Sequence, residues 1–367
     1  MSGAPATPVL LATLRAPASV AGLDTPGWHL LLRQAASANL TARLYYLLET
    51  HDLLALAPAP ARRQLDWARA VAQRHSQAVA WEIRQIGRAL AGLGVPLILL
   101  KGAAYAAAGL PVARGRLFSD IDILLPKDSL ADAEAALMLH GWASSTLDTY
   151  DQRYYRDWMH ELPPMQHVQR GAALDVHHAI LPPTAPVHPD PARLRAAAVP
   201  AVEGAAALVL APADLVLHSA THLFFDGEFD HGLRDLVDLD GLLRHAADSD
   251  GFWPALTARA LQLELGRPLF YALRYTAALL HTPVPASALE ALAPARPNGA
   301  LLTLMDGLFM RALQPDHSSC DDRFSAAARF LLYIRGNWLR MPPLLLARHL
   351  FHKAFLTPKK DVEQQGK

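Results

Sequence analysis

Leu99-Leu100-Lys101-Gly102, and then Arg116-Leu117-Phe118-Ser119-Asp120-Ile121-Asp122-Ile123-Leu124-Leu125, are the residues on which the reading of this chain turns. Side chains alternate faces along a strand, so Asp120 and Asp122 share one side while Ile121 and Ile123 point into a core. Two carboxylates one strand repeat apart repel each other unless a cation lies between them. Oxygen-rich sites of that kind suit Mg²⁺ or Mn²⁺, ions that also bind nucleotide phosphates. A third acid on a neighbouring strand would complete the set. The best candidate is Asp175 in Ala173-Leu174-Asp175-Val176-His177, with Asp148, Asp151 and Asp157 as nearby competitors.

Gly102 stands between the apolar run Val95-Pro96-Leu97-Ile98-Leu99-Leu100 and an alanine-rich stretch that ends at Ala108. That order reads as a buried strand, a turn and a short helix. A glycine at such a turn lets backbone amides approach a phosphate, and the helix N-terminus favours negative charge there. Lys101 would add a point charge and Arg116 a forked one, with Arg114 as the competing arginine. Together the parts describe phosphoryl-transfer machinery, in which positioning and charge neutralisation carry most of the catalysis.

The succession Leu-Lys-Gly, then Arg-x-x-x-Asp-Ile-Asp-Ile-Leu-Leu, then Leu-Asp-Val-His resembles the uncharacterised bacterial nucleotidyltransferases of the DNA polymerase beta-like superfamily. The resemblance implies a phosphate turn at Gly102, metal ligands at Asp120 and Asp122, and Asp175 as the third catalytic and metal-binding acid. It also implies that Lys101 and Arg116 bind nucleotide. Arg234-Asp235-Leu236-Val237-Asp238, in a later helical region, agrees with the same family. Two positions depart from the wider superfamily: Ala103 replaces the usual serine after the glycine, and the interval from Gly102 to Asp120 is long. The implied reaction moves a nucleoside monophosphate from a nucleoside triphosphate to an acceptor hydroxyl and releases pyrophosphate. Acceptor candidates are RNA, a protein or a small molecule. The alternatives are a catalytically inactive nucleotide-binding module of the same fold and a metal-dependent phosphohydrolase.

Outward from this centre the chain is helical. Helix-spaced apolar residues run from about Gly27 to Leu93, with Gly92 and Gly94 as terminators. Leu130 to His140 reads as a helix stopped by Gly141, whereas Tyr150 to Trp158 and Met165 to Val168 read as strands. The expected fold is α+β: a minimal mixed-sheet nucleotidyltransferase core flanked by N-terminal and C-terminal helical regions. The expected divisions are a helical region over 1–94, the core over 95–180, a Pro-rich linker over 181–210, a helical region over 211–357 and a polar tail over 358–367.

Composition narrows the class. Hydrophobic residues make up 52% of the 367 and charged residues 19%, so a large core is expected and wholesale disorder is not. Lys plus Arg equals Asp plus Glu at 34 each, which leaves no global field to capture a long polyanion. Cys320 is the only cysteine, excluding intrachain disulfides and cysteine-built zinc sites, and a cytoplasmic location is expected. The apolar N-terminus has no basic residue before Arg15 and does not read as a secretory signal. No transmembrane segment is expected. Peripheral membrane contact through the basic apolar stretch 330–356 is disfavoured, because Pro342-Pro343 interrupts it.

Other patterns are set aside. His218 and His222 have the spacing of a helical zinc pair, but Ser219 stands where a metalloprotease carries glutamate, so they read as packing residues. Asp226, Glu228 and Asp230 fail as a calcium loop because Val237 occupies the place of the bidentate acid. His177 is a secondary candidate for metal or substrate contact.

Overall fold

The computed structural model describes residues 7–145, 148–227 and 229–342. A mixed seven-stranded sheet lies among helices. Its strands are β1 (Ile98–Leu99), β2 (Asp120–Leu124), β3 (Trp142–Ser144), β4 (Met165–His167), β5 (Ala173–His177), β6 (Val199–Pro200) and β7 (Leu208–Val209). Their spatial order is β3-β4-β5-β2-β1-β7-β6. The architecture is α+β, as expected. Strands β2 and β5 sit at the centre and are buried on their apolar faces: Ile121, Ile123, Leu174 and Val176 all belong to the core.

The longest helix, Ala59–Leu90, buries Leu65, Ala72, Val79 and Ile86 on one stripe of a seven-residue repeat. It packs against the Thr41–Thr50, Lys101–Ala107 and Leu130–Leu139 helices. A short turn after it ends at Gly94, in the left-handed region with φ 65°, and the chain then enters β1. Of the two glycines expected to end the helix, Gly94 is the one whose backbone the exit requires. On the far side, helix Pro212–Phe225 is buried from Asp214 to Phe225 apart from His222. It packs against the Gly232–Ala246, Phe252–Gln262 and Gly266–Leu280 helices, which explains why its sequence shows little amphipathic contrast.

Two readings differ from the structure. Tyr150–Trp158 is not a strand but most of the helix Thr149–Trp158. Its aromatic residues favour strands intrinsically, yet the Asp148 carboxylate caps the helix by accepting from the Tyr150 N–H, and Arg153 pairs with Asp157 four residues on. The stretch 181–210, expected as linker from its prolines, carries helix Pro191–Ala196 and strands β6 and β7. Strand β7 lies parallel to β1, with Ile98 opposite Leu208 and Leu99 opposite Val209. Prolines at 182, 189 and 200 punctuate this stretch without preventing its last residues from joining the sheet. The polar tail 358–367 and the part of the 330–356 stretch beyond Pro342 lie outside the described residues. Glu228 does too. Among the described residues, no helix is long and apolar enough to cross a membrane.

Candidate functional site

Strands β2 and β5 run parallel in register, with Asp120 opposite Ala173, Asp122 opposite Asp175 and Leu124 opposite His177. Alternation therefore puts Asp120, Asp122, Asp175 and His177 on one face of the sheet. The pairing expected of Asp175 is present. Two of the competing acids are engaged elsewhere: Asp148 caps a helix, and Asp157 pairs with Arg153. Asp151 also lies in that helix.

Asp122 is almost fully buried and anchors the cluster. The Lys101 ammonium donates to its Oδ1 at 2.8 Å, and His177 Nε2 lies 3.0 Å from the same oxygen. Asp122 Oδ2 has no hydrogen bond to the described residues. The other His177 nitrogen, Nδ1, lies 3.2 Å from Glu161 Oε2. Burial works against ionisation of Asp122, but Lys101 and His177 overcome it and hold the carboxyl well below the usual range. Burial likewise opposes charge on Lys101 and His177, and their carboxylate neighbours raise both pKa values. Asp175 differs. Burial, then the charges of Asp122 and Glu161, push it up to about 7. It is the acid whose negative charge the protein alone compensates least.

Lys101 and Gly102 open the Lys101–Ala107 helix directly after β1, and Leu100 N–H donates to Asp122 O across the sheet. Lys101 sits in the left-handed region with φ 44°, a conformation that costs a non-glycine residue on the order of 1 kcal/mol. Gly102 has a close-approach reason for lacking a side chain: a Cβ there would overlap Arg116 Nη1 and lie 2.7 Å from a Phe118 ring carbon.

Arg116 is buried in a second cluster. Its Nε donates to Asp238 Oδ2, and Arg43 donates to Asp238 Oδ1 at 3.0 Å. Asp235 lies 3.9 Å from Arg116 and 2.8 Å from Arg234. Arg116 Nη1 is buried against Gly102 with no hydrogen-bond partner among the described residues. Burial lowers the Arg116 pKa, but Asp238 and Asp235 outweigh it and raise the value further. Arg114, the competing arginine, pairs with Glu49 at the surface instead.

Between the clusters lies a cavity of about 460 Å³, whose walls include Lys101, Gly102, Arg116, Asp120, Asp122 and Arg234. That volume falls in the ~300–1,000 Å³ range of small-ligand sites. Asp120 stands half-buried on the wall, with Ser119 donating to its Oδ1 at 3.1 Å. Asp175 is not part of the wall. The ligand atoms that converge for a cation are those of Asp122, Asp175 and His177, all within 4.8 Å of one another.

The model of the uncharacterised nucleotidyltransferases matches residues 24–281, the larger part of the chain. The chain belongs to that family. The match spans the Lys-Gly turn, the Asp-x-Asp strand, Asp175 and the Arg234–Asp238 segment alike, which gives the chain a nucleotidyltransferase fold and supports a transferase. No curated protein matches the chain.

Several site residues were not reached from sequence. Glu161 is joined to His177 by an isolated β-bridge in an irregular segment, and no motif marks it. Asp235 and Asp238 did carry a signal, since acids three apart share a helix face, but Arg43 and Arg116 as their partners are distant in the chain. His218 is buried, in line with its reading as a packing residue; burial lowers its pKa to about 3. His222 lines the cavity, 3.5 Å from Asp226. Neither histidine falls in a metal-holding group among the described residues.

Proposed function

We propose that this protein is a metal-dependent nucleotidyltransferase that moves a nucleoside monophosphate from a nucleoside triphosphate to an acceptor hydroxyl. The acceptor oxygen forms a bond to the α-phosphorus, the bond from that phosphorus to the bridging oxygen breaks, and pyrophosphate leaves with the bond electrons. The observation that carries this reading is Asp122 in register with Asp175, with Asp120 two residues earlier on the same face, beside a cavity of nucleotide size.

The donor set fits a hard divalent cation. Asp122 keeps one oxygen without a hydrogen bond, Asp175 carries unrelieved repulsion, and Asp120 faces the cavity. Asp120 and Asp122 are assigned to Mg²⁺ or Mn²⁺, and Asp175 to one of the ions and to activation of the acceptor hydroxyl. The bound ions would neutralise charge developing on the phosphates. Lys101 and His177 hold Asp122 ionised and fixed in direction. Arg116 is anchored by Asp238, and its unpaired Nη1 beside Gly102 suits a phosphate oxygen. The helical wall, with His222 and Arg234, shapes the acceptor side.

Calorimetric binding of the four nucleoside triphosphates with Mg²⁺ or Mn²⁺, to wild type and to Asp120→Ala/Asp122→Ala, tests the site. Metal-dependent binding that disappears in the double variant is the expected result. Absence of binding to any triphosphate by wild type defeats the reading. Labelled triphosphate then separates the reactions. Transfer to an acceptor marks a transferase, binding alone an inactive module, and phosphate release without adduct a phosphohydrolase.

A further inference from the structure

His177 has two sides, and the proposed reaction uses only one. Its Nε2 faces Asp122, whereas its Nδ1 faces Glu161, which belongs to none of the roles above. Next to Glu161 is His160, whose ring lies 5.3 Å from that of His177, centre to centre, tilted by 32°. One ligand atom from each of His160, Glu161 and His177 lies within 4.8 Å of the other two. These are two imidazoles and one carboxylate, a donor set different in kind from Asp120, Asp122 and Asp175.

A hydrogen-bond relay through His177 accounts for Glu161 and Asp122 but gives His160 nothing to do. Yet His160 Nδ1 is buried with no hydrogen-bond partner among the described residues. A buried imidazole nitrogen without a partner calls for a compensating interaction. The backbone around it is firmly placed. His178 N–H donates to His160 O at 2.8 Å, Leu162 N–H donates to Val176 O at 2.9 Å, and Glu161 bridges to His177. The three side chains are thus held by the end of the central strand rather than by a free loop.

We propose that His160, Glu161 and His177 form a second metal site, distinct from the carboxylate site, that takes a divalent transition ion of the zinc type. Imidazole nitrogens favour Zn²⁺ and its first-row neighbours, whereas Mg²⁺ favours oxygen donors. In this arrangement His177 ligates through Nδ1 and donates its Nε2–H to Asp122, so a carboxylate orients a metal-bound histidine. Asp122 then touches both sites, as a ligand of one and an orienting group of the other. Three protein ligands leave a coordination position open.

The test is metal binding by the full chain, read without catalysis. Protein stripped with a chelator is saturated with Mg²⁺ and titrated with Zn²⁺ against a chromophoric competitor, and with Co²⁺ by visible absorption. One equivalent is expected to bind in the presence of Mg²⁺. Glu161→Gln and His160→Ala should each weaken it at least about tenfold, the scale on which even supporting groups act, while Asp120→Asn leaves it unchanged. X-ray absorption of the zinc-loaded wild type should show two imidazole ligands, a readout that does not depend on how any variant folds. The proposal is overturned if no equivalent binds over Mg²⁺, if absorption shows oxygen ligands only, or if Asp120→Asn releases the ion while folded Glu161→Gln retains it. Triphosphate binding with Mg²⁺ is measured separately, so either site can fail alone.

Discussion

The strand-borne cluster sets four acids, Asp120, Asp122, Glu161 and Asp175, against two cationic groups, Lys101 and His177. The helix-borne cluster sets two acids, Asp235 and Asp238, against three arginines, Arg43, Arg116 and Arg234. Both are largely buried, and they face each other across one cavity. The first is left with surplus negative charge, visible in the raised pKa of Asp175. The second engages each aspartate with two arginines and leaves two guanidinium nitrogens, Arg43 Nε and Arg116 Nη1, without a partner among the described residues. The first arrangement calls for cations and the second for an anion, as a metal–triphosphate complex supplies both. The contrast also separates cost from use: removing an acid from the second cluster should harm the fold, and removing Asp175 from the first should help it.

Four measurements test that contrast. The largest effect is expected at Asp238, which is 1% exposed. Asp238→Ala strands Arg43 and Arg116 without their counter-charge and should cost about 3–5 kcal/mol in urea unfolding. A loss under about 1 kcal/mol would mean that the cluster is not the scaffold described. Asp175→Asn should act in the opposite direction. A carboxyl raised from about 4 in the unfolded chain to about 7 in the fold makes the folded state lose stability as pH climbs between those values. At pH 8 without metal the amide should therefore gain on the order of 2 kcal/mol over wild type, while metal-dependent triphosphate binding is lost. An asparagine variant less stable than wild type at pH 8 contradicts the surplus-charge picture.

His218 supplies an intermediate effect. Burial keeps it neutral in the fold, with its pKa depressed to about 3, whereas the unfolded chain protonates near 6.5. Its contribution is thus complete above pH 6.5 and is lost as pH falls below that, at up to about 1.4 kcal/mol per pH unit. His218→Gln should flatten the acid limb of the stability profile by about one proton, and an unchanged slope would show that His218 titrates normally. The smallest effect belongs at the surface. Arg62 and Asp66 pair at 3.1 Å four residues apart on an exposed helix face, and Arg62→Ala should cost under about 0.5 kcal/mol by thermal melting.

The centre of the site was legible because its information is local. Asp-Ile-Asp-Ile reports a strand with carboxylates on one face, and Leu-Asp-Val-His reports a second acid-bearing strand, but their pairing, with Asp122 opposite Asp175, comes from the structure. What stayed hidden depends on distance. Nothing near Arg116 announces Asp238, and nothing near His177 announces Glu161, because those contacts are made by elements the chain reaches only after folding. The helix at 149–158 was missed for another reason. Its tyrosines argue for a strand, and the cap at Asp148 with the Arg153–Asp157 and Gln152–Arg156 pairs outweighs them. At 181–210 the proline spacing suggests a spacer, but four residues of that span, two in β6 and two in β7, suffice to complete the sheet.

Strand β1 carries the entry to the Lys-Gly turn, and one of its two neighbours, β7, is synthesised roughly 110 residues later, so this pairing closes a long loop and raises the contact order of the fold. Until residue 209 has emerged, β1 has one open edge. A fragment ending at residue 180 holds every proposed catalytic acid and yet displays an unpaired apolar strand, which is a template for aggregation. The smallest piece that folds as this protein does must therefore extend past β7.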